Sequence, residues 1–221
     1  FAGLLRDTLS HGVAIGAQFR HIPSGSVLDV LRIQSVPQGF FWINSAPPTD
    51  MGEPHAMEHM VLGKGTKALY VSALEDMTLS NSTAGTGQIT TGYHFNTIAG
   101  KEVFFQILEA KLDGLLNPTF SGEDLRREIC NSGYSVNPSD GSIALEEKGS
   151  VYTEMVSGFE GTSENLYMKL GEMLYGENHP LSNSSGGYPP AMREATAEDM
   201  RSFHENCYRL NNMGTIISIP D

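Results

Sequence analysis

Basic residues are scarce in this chain: 14 lysines and arginines face 26 aspartates and glutamates, for a formal charge of -12. Binding to a phosphate backbone needs a basic footprint, and this balance does not supply one. Nucleic acid is therefore set aside as a partner, and a basic or neutral peptide suits the chain better. Cysteine is scarcer still. Cys130 and Cys207 stand far apart and form no C-x-x-C pair, so neither a disulfide framework nor a cysteine zinc site is expected, and both thiols are read as buried or half-buried. No apolar run approaches the ~20 residues that cross a bilayer. The opening "FAGLLRDTLS" lacks a basic start followed by a long apolar stretch, so neither a membrane anchor nor a remaining signal peptide is expected. A first residue of Phe rather than Met reads as a processed or excised piece of something longer.

What is present is the composition of a globular protein. Apolar residues make up 39% and charged residues 18% of 221 positions, enough for one domain, 1–221, with a proper core. No internal repeat or low-complexity tract is seen. "GAQFRHI" and "VLDVLRIQ", split by the turn "PSGS", and then "GFFWINSA" read as strands of an antiparallel meander. Pro54 suits the first turn of a helix carrying "HAMEHMVL" and stopping near Gly63 or Gly65.

From Gly100 to Leu116 the apolar spacing Val103, Phe104, Ile107, Leu108, Leu112, Leu115 marks an amphipathic helix. "TTGYHFNTIAG" before it and "EICNSGYSV" after it look like strands. A further helix is expected from about Ser142 through "IALEEKGSVYTEMVSGF", weakened by Gly149. "SENLYMKLGEMLY" and "TAEDMRSFHENCY" have helical spacing, the second with Thr196 and Asp199 placed for a capping box, and "GTIISIP" closes as a strand. This order fits an α+β two-layer sandwich, helices packed on one face of a mostly antiparallel sheet.

The stretch "GEPHAMEHMVLGKG" carries the chemistry. On a helix, residues i and i+4 lie about 40° apart around the axis and about 6 Å along it, so His55 and His59 can present both imidazoles to one ion. Catalytic zinc takes three protein ligands and keeps a fourth position for water. Glu58 stands close enough to reach that water without binding the metal. The order H-x-x-E-H inverts the commoner H-E-x-x-H zinc motif.

A third ligand must come from elsewhere, and the candidates are Glu128, Glu146, Glu147 and Glu154. On the expected helix Glu147 and Glu154 share a face. Glu154, among Val151, Met155 and Phe159, would sit against the core, where a carboxylate needs a cation. Glu147, nearer the helix start, would hold a ligand histidine by its second ring nitrogen. The remaining histidines, His11, His21, His94, His179 and His204, have no partner at ligand spacing and read as surface or packed residues. "LGKGT" and "AGTGQITTG" match neither phosphate-binding glycine motif, which sets a nucleotide site aside.

These residues resemble the pitrilysin (insulinase) family of zinc peptidases over almost the whole chain. "FFWINSAPPTDMGEPHAMEHMVLGKG" is similar to the family's strand, loop and zinc helix, "EEKGSVYTEMVS" to the segment supplying its glutamate ligand, and "FHENCYRLNNM" to its late helix and turn. The wide gap between His59 and Glu154, with "KGSVYTEM" and "SSGGYP", brings the likeness closest to the presequence-protease branch. The resemblance implies zinc on His55, His59 and Glu154, with Glu58 as general base. It also implies an unfolded peptide as substrate, and the N-terminal catalytic unit of a longer enzyme whose remaining domains close a chamber and supply an Arg and a Tyr absent here. One departure concerns the substrate-binding edge strand, which reads "STAGTGQITTG" where relatives have small and aromatic residues. Asn81 is the candidate there for a contact to the peptide. The competing expectation is a non-catalytic structural or assembly subunit of the same family.

Overall fold

The computed structural model describes residues 4–10, 13–177 and 179–220. In chain order its elements are β1 (Leu4–Ser10), β2 (Val13–Arg20), β3 (Val27–Leu31), β4 (Gln38–Asn44), α1 (Glu53–Gly63), α2 (Gly65–Met77), β5 (Ser80–Thr86) and β6 (Thr90–Thr97). There follow α3 (Lys101–Leu116), α4 (Gly122–Ile129), β7 (Ser132–Val136), β8 (Ile143–Glu147), α5 (Ser150–Glu160), α6 (Thr162–Tyr175), α7 (Pro189–Met192), α8 (Ala197–Cys207) and β9 (Met213–Ser218). Among the described residues, no helix is long and apolar enough to cross a membrane.

Seven strands form one sheet in the order β1-β2-β3-β9-β4-β6-β5, antiparallel except where β3 meets β9. The expected α+β fold with a mostly antiparallel sheet is present. The expected meander is not continuous: β9, from the far end of the chain, lies between β3 and β4. Side-chain size explains how β4 takes its neighbours. Trp42 faces Gly214 across the β4–β9 ladder and Gly39 faces Phe95 across the β4–β6 ladder, and a Cβ on either glycine would come within 2.4 Å of the opposing ring. Each bulky ring thus lies over a residue with no side chain.

Alternation along β4 and β6 sends Phe41, Ile43, Tyr93 and Phe95 into the helix layer, where all four are buried. Helix α3 meets them with Phe104, Ile107 and Leu115, and the Phe95 and Phe104 rings stack at 5.2 Å between centroids. Helix α1 is buried from Gly52 to Val61 except at His55 and His59. Burying an aliphatic side chain of this size stabilises by ~1.5 to 3 kcal/mol, so Met57, Met60 and Val61 fix the helix and leave the two imidazoles half-buried on its open side.

Several local expectations give way. Residues 143–147 form a strand paired with β7, so the helix expected from Ser142 begins only at Ser150. Glu147 therefore lies on β8 and shares no helical face with Glu154. Glu128 and Ile129, read as part of a strand, end α4, a helix whose start Ser121 and Asp124 secure by a reciprocal capping box. Helix α2 gives little signal because only Ala68 and Val71 of it are buried. Cys130 is exposed rather than buried.

Gly52, which caps α1, has φ +75° and faces the chain at 186–187, where a Cβ would lie 2.6 Å from the Gly186 carbonyl oxygen. Left-handed backbone costs an ordinary residue roughly 1 to 2 kcal/mol, and the clash adds to it. Gly52→Ala should therefore lower unfolding stability by more than about 2 kcal/mol in a urea titration. An unchanged midpoint would show that the two segments do not approach so closely.

Candidate metal centre

Helix α1 delivers His55 and His59 one turn apart, their rings edge to face with centroids 5.0 Å apart. Helix α5 delivers Glu154, whose Oε2 lies 3.7 Å from His55 Nε2. One ligand atom from each of the three residues can be chosen so that all lie within 4.8 Å of one another. Two ligands at ~2.0 to 2.1 Å from one ion, at a tetrahedral angle, stand roughly 3.3 Å apart, so the set fits zinc after a small inward adjustment. Two neutral imidazoles and one carboxylate are also the donor types that zinc accepts. Glu154 is not set against the core: its side chain is 63% exposed, so it is free to make that adjustment.

The ring nitrogen of His59 turned away from this cluster has a carboxylate partner. His59 Nδ1 donates to Glu128 Oε2 at 3.0 Å, and Lys64 Nζ donates to Glu128 Oε1 at 2.7 Å. Burial pushes the Glu128 carboxyl up, but the hydrogen bonds from His59 and Lys64 outweigh it and hold the group at about 2. The hydrogen bond to Glu128 likewise raises His59 above its ordinary value, against the opposing effect of burial. With the proton fixed on Nδ1, the ring keeps Nε2 as its bare donor.

This is the place expected for Glu147, and Glu147 does not fill it. It is held instead by Arg193, which donates to both of its oxygens at 2.8 Å on the surface. The strand that carries Glu147 turns it toward α7 rather than α1. Glu128 was among the candidate acids, but its position at the end of α4 has no signal in a stretch that reads as a strand.

Glu58 is 8% exposed and borders the same cleft, of about 540 Å³, as His55, His59 and Glu154. Thr86 Oγ1 donates to Glu58 Oε2 at 2.6 Å, a contact the sequence does not announce. The cleft is lined by β5 through Ala84, Gly85 and Thr86, by α5 and α6 through Met155, Glu164 and Tyr167, and by the loop at 181–186. That loop, which reads as merely irregular, is fastened in place: Asn183 Nδ2 donates to the Pro47 carbonyl at 3.1 Å, Ser184 N to Asp50 at 2.7 Å, and Gln88 Nε2 to the Asn183 carbonyl at 2.8 Å. Asn81 lies exposed on β5, the edge strand of the sheet.

The other described histidines have local partners. His21 meets Ser24, His94 meets Gln38, His179 accepts from the Leu181 amide, and His204 donates to the Leu115 carbonyl. His11 lies outside the described residues.

No protein-family model matches the chain. Among curated proteins it is 31% identical over 177 residues to the mitochondrial presequence protease of Candida albicans, covering 76% of this chain and 16% of that protein. It is 31% identical over 211 residues to the mitochondrial presequence protease of Danio rerio, covering 92% of this chain and 19% of that one. The chain thus spans less than a fifth of the length of these relatives. Among solved structures, pitrilysin matches with a TM-score of 0.68 at 17% identity, over 93% of this chain and 21% of pitrilysin. A peptidase M16 inactive domain from Pseudomonas fluorescens matches with a TM-score of 0.66 at 15% identity, over 92% of this chain and 46% of that one. At these identities the two structures share the fold.

Because Glu128 has its pKa lowered on folding, it contributes stability that is full above its ordinary value of 4.5 and lost as pH falls toward about 2. Glu128→Gln should cost the metal-free protein about 2 kcal/mol at neutral pH, the scale of a hydrogen-bonded charged group. In urea titrations the gap from the unsubstituted protein should close as pH falls through that window. Zinc affinity should drop by about 10- to 100-fold. A variant with undiminished affinity would mean that Glu128 does not orient His59.

Proposed function

This chain belongs to the family of peptidases that includes pitrilysin and the presequence proteases, and on that premise we propose that it is the zinc-binding catalytic unit of an endopeptidase acting on unfolded peptides. The observation that carries this reading is the convergence of His55, His59 and Glu154 in one cleft with Glu58. His55, His59 and Glu154 would hold the ion, with Glu128 orienting His59. When bound, zinc supplies Lewis acidity to the attacking water and to the scissile carbonyl alike.

The chain's own residues account for the rest. Glu58 takes the proton from the attacking water and returns it to the departing amine. The peptide lies as an added strand on β5, where main-chain hydrogen bonds give affinity with little sequence preference, and Asn81 stands exposed to contact it. The loop at 181–186, fastened to Pro47, Asp50 and Gln88, keeps its side of the cleft in place. Glu58, Glu154 and Glu164 border the cleft and, among the described residues, no lysine or arginine does, which favours a basic peptide. The remaining domains of the longer enzyme would complete the substrate chamber.

The second reading is a unit that has lost catalysis and serves assembly, favoured by the structural match to a domain described as inactive. The two readings differ in metal and in turnover. The catalytic unit should retain about one equivalent of zinc when purified without chelator, and Glu154→Ala should lose it. In the full-length enzyme Glu58→Gln should keep the zinc and cut peptide hydrolysis by about 10²- to 10⁴-fold. Zinc below roughly a tenth of an equivalent would favour the assembly unit. Undiminished turnover of the Gln variant would remove Glu58 from the role of base.

A further inference from the structure

The side chains that β5 turns toward the helix layer are Ser80, Ser82, Ala84 and Thr86. None is large, so apolar packing does little to hold this edge strand down. Hydroxyl groups hold it instead. Ser80 Oγ lies 2.8 Å from Thr78 Oγ1, Ser82 Oγ donates to Glu75, and Thr86 Oγ1 donates to Glu58 Oε2 at 2.6 Å. Glu75 is itself neutralised by Lys111 Nζ at 2.8 Å. Two of the three contacts end on groups remote from the metal cluster; the third ends on the carboxylate that moves the proton.

The geometry points to Thr86 as a positioning residue for Glu58, tying the general base to the strand that receives the peptide. This rests on the peptidase reading above and deepens it. A carboxylate with one oxygen bound to a fixed donor cannot turn freely about its last bond, so the other oxygen is presented in one orientation. The donor is fixed. Thr86 is branched at Cβ, which restricts its χ1, and it ends β5 directly opposite Thr91. Its hydroxyl lies 3.5 Å from Thr91 Oγ1, which lies 2.8 Å from Ser45 Oγ, and Thr91 and Ser45 are fully buried. Ser45 directly follows β4, so a line of hydroxyls runs from the base to a central strand of the sheet.

Two other hydroxyls near the base are engaged elsewhere. Tyr93 and Tyr208 are buried and bond to each other at 2.7 Å. Among the described residues, Thr86 is the hydrogen-bond donor to the Glu58 carboxylate. A peptide paired on the outer edge of β5 therefore acts on the same strand that holds the base from its inner face. Register between the scissile carbonyl and the proton acceptor passes through one side chain.

The test uses the full-length, zinc-loaded enzyme with a quenched peptide substrate. Thr86→Val keeps the shape and removes the donor: kcat should fall by about 10- to 100-fold, with KM within about twofold and zinc content unchanged. Thr86→Ser restores the donor and should recover most of kcat. In a Glu58→Gln background, Thr86→Val should produce no further loss, because the group it positions is gone. Thr86→Ala, compared at matched thermal stability, stands in if the Val variant folds poorly. A Val variant with kcat within twofold of the parent, or a Ser variant as slow as Val, overturns the assignment. Failure of the peptidase reading gives a different pattern: an enzyme without zinc, or one indifferent to Glu58→Gln, before any change at Thr86.

Discussion

A carboxylate taken almost wholly out of water must be met by positive charge or hydrogen-bond donors, and Glu128, at 3% exposure, is met by both. Its side chain reaches His59 within α1 and Lys64 at the end of that helix. Its main chain does a second job. A Cβ on Gly149, just ahead of α5, would lie 2.5 Å from the Glu128 carbonyl oxygen, so α5 begins in direct contact with the end of α4. One residue thus locates both helices that carry the proposed metal ligands, one through its carboxylate and one through its backbone. Removing one partner of a buried pair costs far more than the pair contributes net, which makes this junction intolerant of change.

The parts of the fold legible in sequence are those governed by period and punctuation. Helix α3 follows from its apolar spacing, α8 from Thr196 and Asp199, and α1 from Pro54 and the glycine at its end. His55, Glu58 and His59 could be assigned to one cleft because a spacing of four on a helix fixes a common direction in space. The failures share a cause. Glu147 and Glu128 sit where a strand and a helix end meet, and a pattern of apolar residues does not separate the two states over so short a stretch. Helix α2 and strand β8 are too exposed to show a period at all.

Pairing was legible even less. Trp42 over Gly214 and Phe95 over Gly39 give a physical reason for the neighbours of β4, but a glycine in a strand does not name the ring it will lie under. The loop at 181–186 carries the same lesson for the site. Its glycines and serines read only as an irregular stretch, while in three dimensions Asp50 and Gln88 hold it as a wall. Hydrogen bonds between distant segments leave little periodic trace.

The position of β9 has a consequence for the newly made chain. β3 and β4 both pair with a strand that the ribosome adds about 170 to 190 residues later, so during synthesis each must wait with one side open. Such waiting edges bind other chains readily, and contacts so remote in sequence form slowly. The sheet becomes continuous only on arrival of 213–218, and until then the polypeptide depends on whatever shields its half-built edges, a chaperone or simply low concentration.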